Sequence, residues 1–289
     1  MDRELRDIVK RVRTDTTSGA SEIALFASES VGRFTRGPRA ELRGIREFAI
    51  ALVDAQPNMA PIWNLANSIL LSELDGPSLA EICKRTSEHH RTAAKRVGAN
   101  AALALRDCVL VTNSSSKAIY EAVLAASRRT RISVLLPESG PKREGLDMAK
   151  QLARSGVDVT LFGDSSLSRA VSKADIALVG VDAVTRSSVI GKVGILNLVL
   201  SSREYSIECL ACGDSSKFAP IGLVEDSRPA REIASRLPSR VRVENVYFEE
   251  APIARFSWIV TESGRLKPSQ AARIVSDIKV AKELVGRKS

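Results

Sequence analysis

Asn113, Ser114, Ser115 and Ser116 stand between a short apolar run, Cys108–Val111, and an apolar pattern of helical period that opens at Lys117. A strand that feeds hydroxyl groups into the start of a helix is an anion-binding geometry. The first amides of the helix lack intrahelical acceptors, and the helix dipole favours negative charge there. The same serines also suit a plain helix N-cap. Asp182, in Val-Gly-Val-Asp-Ala-Val, follows an apolar strand pattern and could act as a general acid or base, or cap the next turn. Lys192 sits in a Gly-flanked turn, Ile-Gly-Lys-Val-Gly, and Lys217 in Cys-Gly-Asp-Ser-Ser-Lys-Phe. Either lysine could neutralise a phosphate or stay solvated.

Other chemistry is less supported. Cys209-x-x-Cys212 lies at a strand, where residues three apart face opposite sides, and no second pair completes a zinc site. No metal is expected. His89 and His90 are the only histidines; adjacent on a helix and flanked by Glu88 and Arg91, they read as a solvated face. No Gly-x-Gly-x-x-Gly or P-loop pattern occurs, so no cofactor is expected.

The elements that must position these groups fall into two parts. The chain has 289 residues, which suits two domains. Residues 1–105 read as helices throughout. Leu5, Ile8, Val9 and Val12 keep helical spacing in the first, and Pro38 suits the start of the third. Residues 106–289 alternate. Short β-branched or apolar runs at 108–111, 133–136, 157–162, 176–179, 207–211 and 256–260 are separated by helical patterns, with Gly191–Ser201 read as one of those helices. That alternation predicts βαβ units and an α/β, Rossmann-like parallel sheet behind an N-terminal helical domain. Ligands in such sheets sit at the carboxyl ends of the strands. Asn113–Ser116, Glu138–Gly140, Asp164 and Asp182 all fall there.

Composition bounds the partners. No apolar run reaches about 18 residues, so no membrane span is expected, and the first residues lack the apolar centre of a secretory signal. Four cysteines in apolar or helical contexts do not form a disulfide framework, which suits a cytoplasmic protein. The net charge is +9, but acids and bases are interspersed and aromatic residues are few. No sequence-reading nucleic-acid module is visible.

The order of these pieces resembles the translation initiation factor 2B alpha/beta/delta family. That family also contains methylthioribose-1-phosphate isomerase and ribose-1,5-bisphosphate isomerase. The likeness is carried by VLVTNSSSKAIYEAV, VLLPESGPKREGLDMAKQLARSGVDVTLF, KADIALVGVDAV with IGKVG, CGDSSKF, and FEEAPIARFSWIVTESG. The resemblance implies a helical domain before a Rossmann-like domain. It also implies a homodimer or larger assembly and initiation factor 2 as a partner. Phe256, Trp258 and Ile259 are expected to be apolar edge material of a dimer surface.

The isomerases carry a cysteine where this chain has Ser114, and their partner acid falls on Asp182. Their phosphate-binding arginines fall on Ser18, ahead of Gly19-Ala20, and on Gly140. Their Asn-Lys-Ile-Gly run becomes Gly191-Lys192-Val193-Gly194, which keeps the lysine. A thiol near pKa 8.5 exchanges protons near neutrality, and a serine hydroxyl does not. The resemblance therefore implies a noncatalytic, initiation-factor-like regulatory or scaffold subunit. Asn113–Ser116, Asp182, Lys192 and Lys217 would hold a sugar phosphate or nucleotide. The alternative is an aldose–ketose isomerase acting through Asp182 and Ser114.

Overall fold

The computed structural model describes the chain except residues 17, 38–41, 43, 225–227 and 286–289. Five helices come first: α1 (Arg3–Thr14), α2 (Ala20–Thr35), α3 (Ile45–Ala55), α4 (Ala60–Leu70) and α5 (Gly76–Ala101). The helix start expected at Pro38 lies outside the described residues; α3 is helical from Ile45. Asp2 caps α1, its carboxylate accepting from the Glu4 amide at 2.7 Å. Asp75 caps α5 in the same way from Ser78, also at 2.7 Å. On α5 the buried residues Leu79, Cys83, Ser87, His90, Val97 and Ala101 recur every three, four or seven positions and form one stripe.

The helical run ends in a single tight turn at Ala102–Ala104. Then β1 (Cys108–Val111), α6 (Lys117–Ser127), β2 (Ile132–Pro137), α7 (Glu144–Arg154), β3 (Asp158–Phe162), α8 (Leu167–Val171) and β4 (Ile176–Gly180) alternate. A hairpin follows, β5 (Ala183–Val184) and β6 (Ser188–Lys192), before α9 (Ile195–Glu204) and β7 (Glu208–Cys212). The chain closes with β8 (Phe248–Pro252), β9 (Trp258–Thr261), β10 (Gly264–Leu266) and α10 (Pro268–Ser276).

The main sheet has the order β10-β9-β7-β4-β1-β2-β3. Only β10 runs antiparallel to its neighbour. Strand order reverses between β1 and β4, so their carboxyl ends flank the crevice where doubly wound sheets bind ligands. Side chains alternate between two packed layers. Leu110, Leu178, Leu210 and Cys212 join α5, α6 and α7 on one face. Val111, Val179, Cys209 and Ala211 join α8, α9 and α10 on the other.

Three sequence readings are corrected. Gly191 and Lys192 are not helical: they end β6, whose partners β5 and β8 make a second, antiparallel sheet of three strands. The helix starts only at Ile195, after Gly194 takes a φ of 99°, a conformation glycine adopts without strain. Phe256–Val260 is neither the last strand nor an edge. β10 covers β9, Phe256 and Ile259 are buried, and Lys267 lies 3.5 Å over the Trp258 ring. Finally, His90 is buried on the inner stripe of α5 rather than on a solvated face.

Asparagines lock the helical part onto the sheet part. The Asn64 amide donates to the carbonyls of Ser216 and Phe218 at 2.8 and 2.9 Å. Asn67 donates to Lys279 O at 2.9 Å and accepts from the Ala281 amide at 2.8 Å. Asn58 makes the same paired exchange with Val224, both bonds at 2.8 Å. The helical core also takes in Ala183, Ile190, Ala219 and Ile221 from beyond residue 180.

Candidate functional site

The crevice at the β1–β4 switch opens into a cavity of about 810 Å³, within the roughly 300–1,000 Å³ usual for small-molecule sites. Ser114, Ser115, Ser116, Asp182, Lys192 and Lys217 all line it. Six of the seven residues expected to bind ligand are thus brought together from four separate loops and strand ends.

The serine turn is shaped from behind. Ser139 donates its hydroxyl to the Asn113 carbonyl at 2.9 Å. Asn113 is the seventh residue and is buried outside the cavity wall; its amide donates to the Lys192 carbonyl at 3.0 Å, tying β1 to β6. Ser116 is the N-cap of α6, but its side chain makes no capping bond, which leaves the hydroxyl for another partner. It also packs on Gly180, where a Cβ would stand 2.5 Å from Ser116 Oγ. Glycine at the end of β4 therefore lets the turn approach. Asp164 does not face the cavity. Its carboxylate accepts from the Ser139 and Gly140 amides at 2.9 and 2.6 Å and pins that loop.

A second helix start reaches the same cavity. Gly19, Ala20 and Ser21 at the beginning of α2 line it beside Ser18. The starts of two helices, α2 and α6, thus line one space, a setting in which helix ends favour anions, although the Gly19 amide already meets the Glu22 carboxylate at 3.4 Å.

Asp182 and Lys217 form the centre of charge. Lys217 is buried, and its Nζ lies 3.8 Å from Asp182 Oδ1. Burial pushes the Asp182 carboxyl above the ordinary carboxylate range, against the pull of Lys217 and Lys192. A carboxyl held high beside a cation is suited to take and return a proton. The other cations are engaged as well. Lys192 Nζ meets Glu144 at 2.8 Å and sits 4.7 Å from the Tyr247 ring centroid. Lys142 meets Glu232 at 2.8 Å, and Glu232 also accepts from the Tyr247 hydroxyl at 2.6 Å. Arg228 also lies over the Tyr247 ring, its Cζ 4.8 Å from the centroid.

Asp214 lies behind Lys217. Burial alone would raise its carboxyl, but the His89 hydrogen bond, the Lys217 charge and Ser216 hold it well below the usual range. The His89–Asp214 contact is 2.8 Å, and the bond to Asp214 raises the His89 pKa. His90 also lines the cavity. Donor atoms of His89, His90 and Asp214 lie within 4.8 Å of one another. The existing His89–Asp214 bond and the Lys217 charge disfavour a cation there. Cys209 and Cys212 face opposite layers of the sheet, and burial raises both thiols, Cys209 to about 12. They are inert at neutral pH.

Sequence reasoning missed Lys142, Asp214, Tyr247, Arg228 and His90. Asp214 was legible three residues before Lys217. Lys142 was legible two residues past Gly140, in the Glu-Ser-Gly-Pro-Lys run. Tyr247 and Arg228 come from the long connection between β7 and β8, which carries no periodic signal.

Comparisons with known proteins agree with this architecture. A protein of Archaeoglobus fulgidus named ribose 1,5-bisphosphate isomerase is 27% identical over 95% of this chain and 93% of its own length. A Pyrococcus abyssi protein named as eIF-2B subunit 2-like is 31% identical over 78% of this chain and 81% of its own. Among solved structures, Pyrococcus horikoshii translation initiation factor eIF-2B superposes with a TM-score of 0.82 at 25% identity, covering 95% of this chain and 100% of that one. The 5-methylthioribose 1-phosphate isomerase of the same organism shares the fold, with a TM-score of 0.72 at 17% identity over 95% of this chain and 88% of that one. Residues 16–268 match the Initiation factor 2 subunit family, and the chain belongs to that family.

Proposed function

We propose that the cavity binds a phosphorylated sugar and that the chain is an aldose–ketose isomerase. The observation that carries this is the half-buried Asp182 carboxyl, raised and set 3.8 Å from the buried Lys217 in a cavity that two helix starts also line. The reaction moves a hydrogen between adjacent carbons while a charged substrate is held still. Asp182 supplies the group that takes and returns that proton. The amides of Ser114–Ser116 and of Gly19–Ser21, with Lys192 and Lys142, hold the phosphate ends. The 27% identity with ribose 1,5-bisphosphate isomerase over 95% of the chain supports the substrate class.

A second reading has its own observation. Ser114 stands where the isomerases have a thiol, and no arginine is present at positions 18 and 140. This favours a regulatory initiation factor 2B-like subunit that senses the sugar phosphate and contacts initiation factor 2 without turnover.

One experiment separates the two. Ribose 1,5-bisphosphate and methylthioribose 1-phosphate are offered to the purified protein, with binding followed by calorimetry and ketose by NMR. The isomerase reading expects ketose to form, with a loss of about 10²- to 10⁴-fold in Asp182→Asn. Binding of the sugar phosphate without ketose would transfer the conclusion to the regulatory reading.

A further inference from the structure

His90 has no part in the chemistry described so far. It lies on the inner stripe of α5, 6% exposed, and its Nδ1 is buried without a hydrogen-bond partner. His90 lines the main cavity and also a second cavity of about 580 Å³ formed by the middle of α5, α4 and Ser215–Ser216. Native interiors seldom leave a buried polar nitrogen unpaired without a use for it. The stripe neighbours of His90 are Ser87 and Ala93, and an apolar residue would complete the packing there.

The surroundings fix its state. His89 packs edge-on against it, with centroids 5.3 Å apart, but spends its own Nε2 on Asp214. Burial lowers the His90 pKa to about 4, helped by the charges of His89 and Lys217 and opposed by Asp214. At neutral pH the ring is therefore an uncharged imidazole, one nitrogen carrying a proton and the other free to accept one. A neutral imidazole of lowered pKa is a known way to work on sugar oxygens without stranding a charge.

We propose that His90 is a catalytic residue of this cavity, touching the sugar and carrying a proton between two of its oxygens. The proposal rests on the isomerase reading and supplies the second group that Asp182 lacks. The substrate is an aldose 1-phosphate closed into its ring. Asp182 takes the proton from C2, the C2–H electron pair forms the C1–C2 double bond, and the C1–O4 bond breaks. In the same step one His90 nitrogen gives its proton to the leaving O4 while the other takes the proton of the C2 hydroxyl, so the ring stays neutral and only its tautomer changes. Asp182 then returns its proton to C1 as the C2 enolate becomes a carbonyl. The tautomer resets before the next turnover, and no oxidant or reductant is needed.

The test pairs turnover with a direct view of the ring. His90→Gln and His90→Asn are made in the full chain, and circular dichroism checks that they fold. With ribose 1,5-bisphosphate, kcat is expected to fall about 10²- to 10⁴-fold, with KM within about threefold of the parent. In imidazole-labelled parent protein, the His90 nitrogen resonances are expected to shift on saturation with that sugar phosphate. Turnover in folded variants within about threefold of the parent, or resonances that stay put while the parent turns over, overturns the role of His90 and leaves the isomerase reading intact. A parent that binds the sugar phosphate without converting it overturns the proton transfer together with that reading.

Discussion

At position 114 a hydroxyl stands where the resemblance to the isomerases places a cysteine. The Ser114 side chain is 5% exposed and lines the cavity wall. A hydroxyl there can donate a hydrogen bond but cannot ionise near neutrality, whereas a thiol ionises near pH 8.5. Ser114→Cys is expected to raise isomerase kcat by about tenfold or more, with a pH profile that climbs through the thiol range. An unchanged or lower rate at pH 8.5 would show that a thiol at this position takes no part. A second residue-scale prediction concerns acid. The His90 pKa falls from 6.5 unfolded to about 4 folded. Between those values the unfolded chain binds a proton that the folded chain refuses, so His90 costs stability as pH falls through that window, on the order of 3 kcal/mol when complete. Above pH 6.5 it costs nothing. His89 has the opposite sign, because its pKa is raised: its contribution is full below 6.5 and fades as pH rises. Urea melts of parent and His90→Gln at pH 7, 5.5 and 4.5 should therefore show the larger acid loss in the parent. Parallel losses in the two proteins would contradict it. The histidines also mark what was not legible in the sequence. Adjacent polar residues beside Glu88 and Arg91 read as surface, but position 90 continues the Leu79, Cys83, Ser87 stripe. Periodicity was the better guide there than residue type.

The elements carried more of the site than the motifs did. β1 was legible to the residue, because four apolar residues end at Thr112 and a helical period begins at Lys117. The alternation of short strands and helices located the carboxyl-end edge of the sheet, and the strand order then placed the crevice between β1 and β4. The second sheet was not legible. Its strands β5 and β6 have only two and five residues, and β8 pairs with β6 across more than fifty residues of sequence. Local pattern cannot register so distant a partner, so Gly191-Lys192 read as a turn or helix start. Lys192 is placed by that pairing, opposite Phe248. At the end of β4, backbone contact replaces side chain. A Cβ on Gly180 would come within 2.6 Å of both Oγ and Cβ of Ser116. Gly180→Ala must push the serine turn away from the strand. Sugar-phosphate affinity is expected to weaken by about tenfold, or roughly 1.4 kcal/mol, measured by calorimetry. The sheet itself is untouched, so far-ultraviolet circular dichroism should not change. Full affinity in a folded Gly180→Ala would mean that the serine turn does not hold the anion.

On the scale of the whole molecule, a homodimer or larger assembly remains the expectation, but Phe256 and Ile259 do not supply its surface. Phe256 and Ile259 lie inside the core. Better candidates are the open edge at β3, with Leu161 42% exposed, and α9 with its C-cap, where Leu200 and Tyr205 are each 46% exposed. Light scattering at micromolar concentration should give at least twice the 31.2 kDa chain mass, and a monomer mass would end the expectation. A boundary near residue 105 separates helices from alternating strands, yet physical cohesion crosses it. Asn58, Asn64 and Asn67 each bond to backbone beyond residue 215, and the helical core contains Ala183, Ile190, Ala219 and Ile221. Sequence patterning could not show this, because asparagine on a helix carries no sign of a partner more than 150 residues away. The consequence is that both parts should melt together. Asn67 is buried and satisfies one donor and one acceptor of the 279–281 segment. Asn67→Ala strands both, at about 1–3 kcal/mol for each buried group left unpaired. Calorimetry should then show one transition in the parent and one, shifted to lower temperature, in Asn67→Ala. Two separated transitions in either protein would mean that the helices and the sheet fold independently. The cavity between them, lined from α2, α5, β4 and β6, would then open without unfolding the chain.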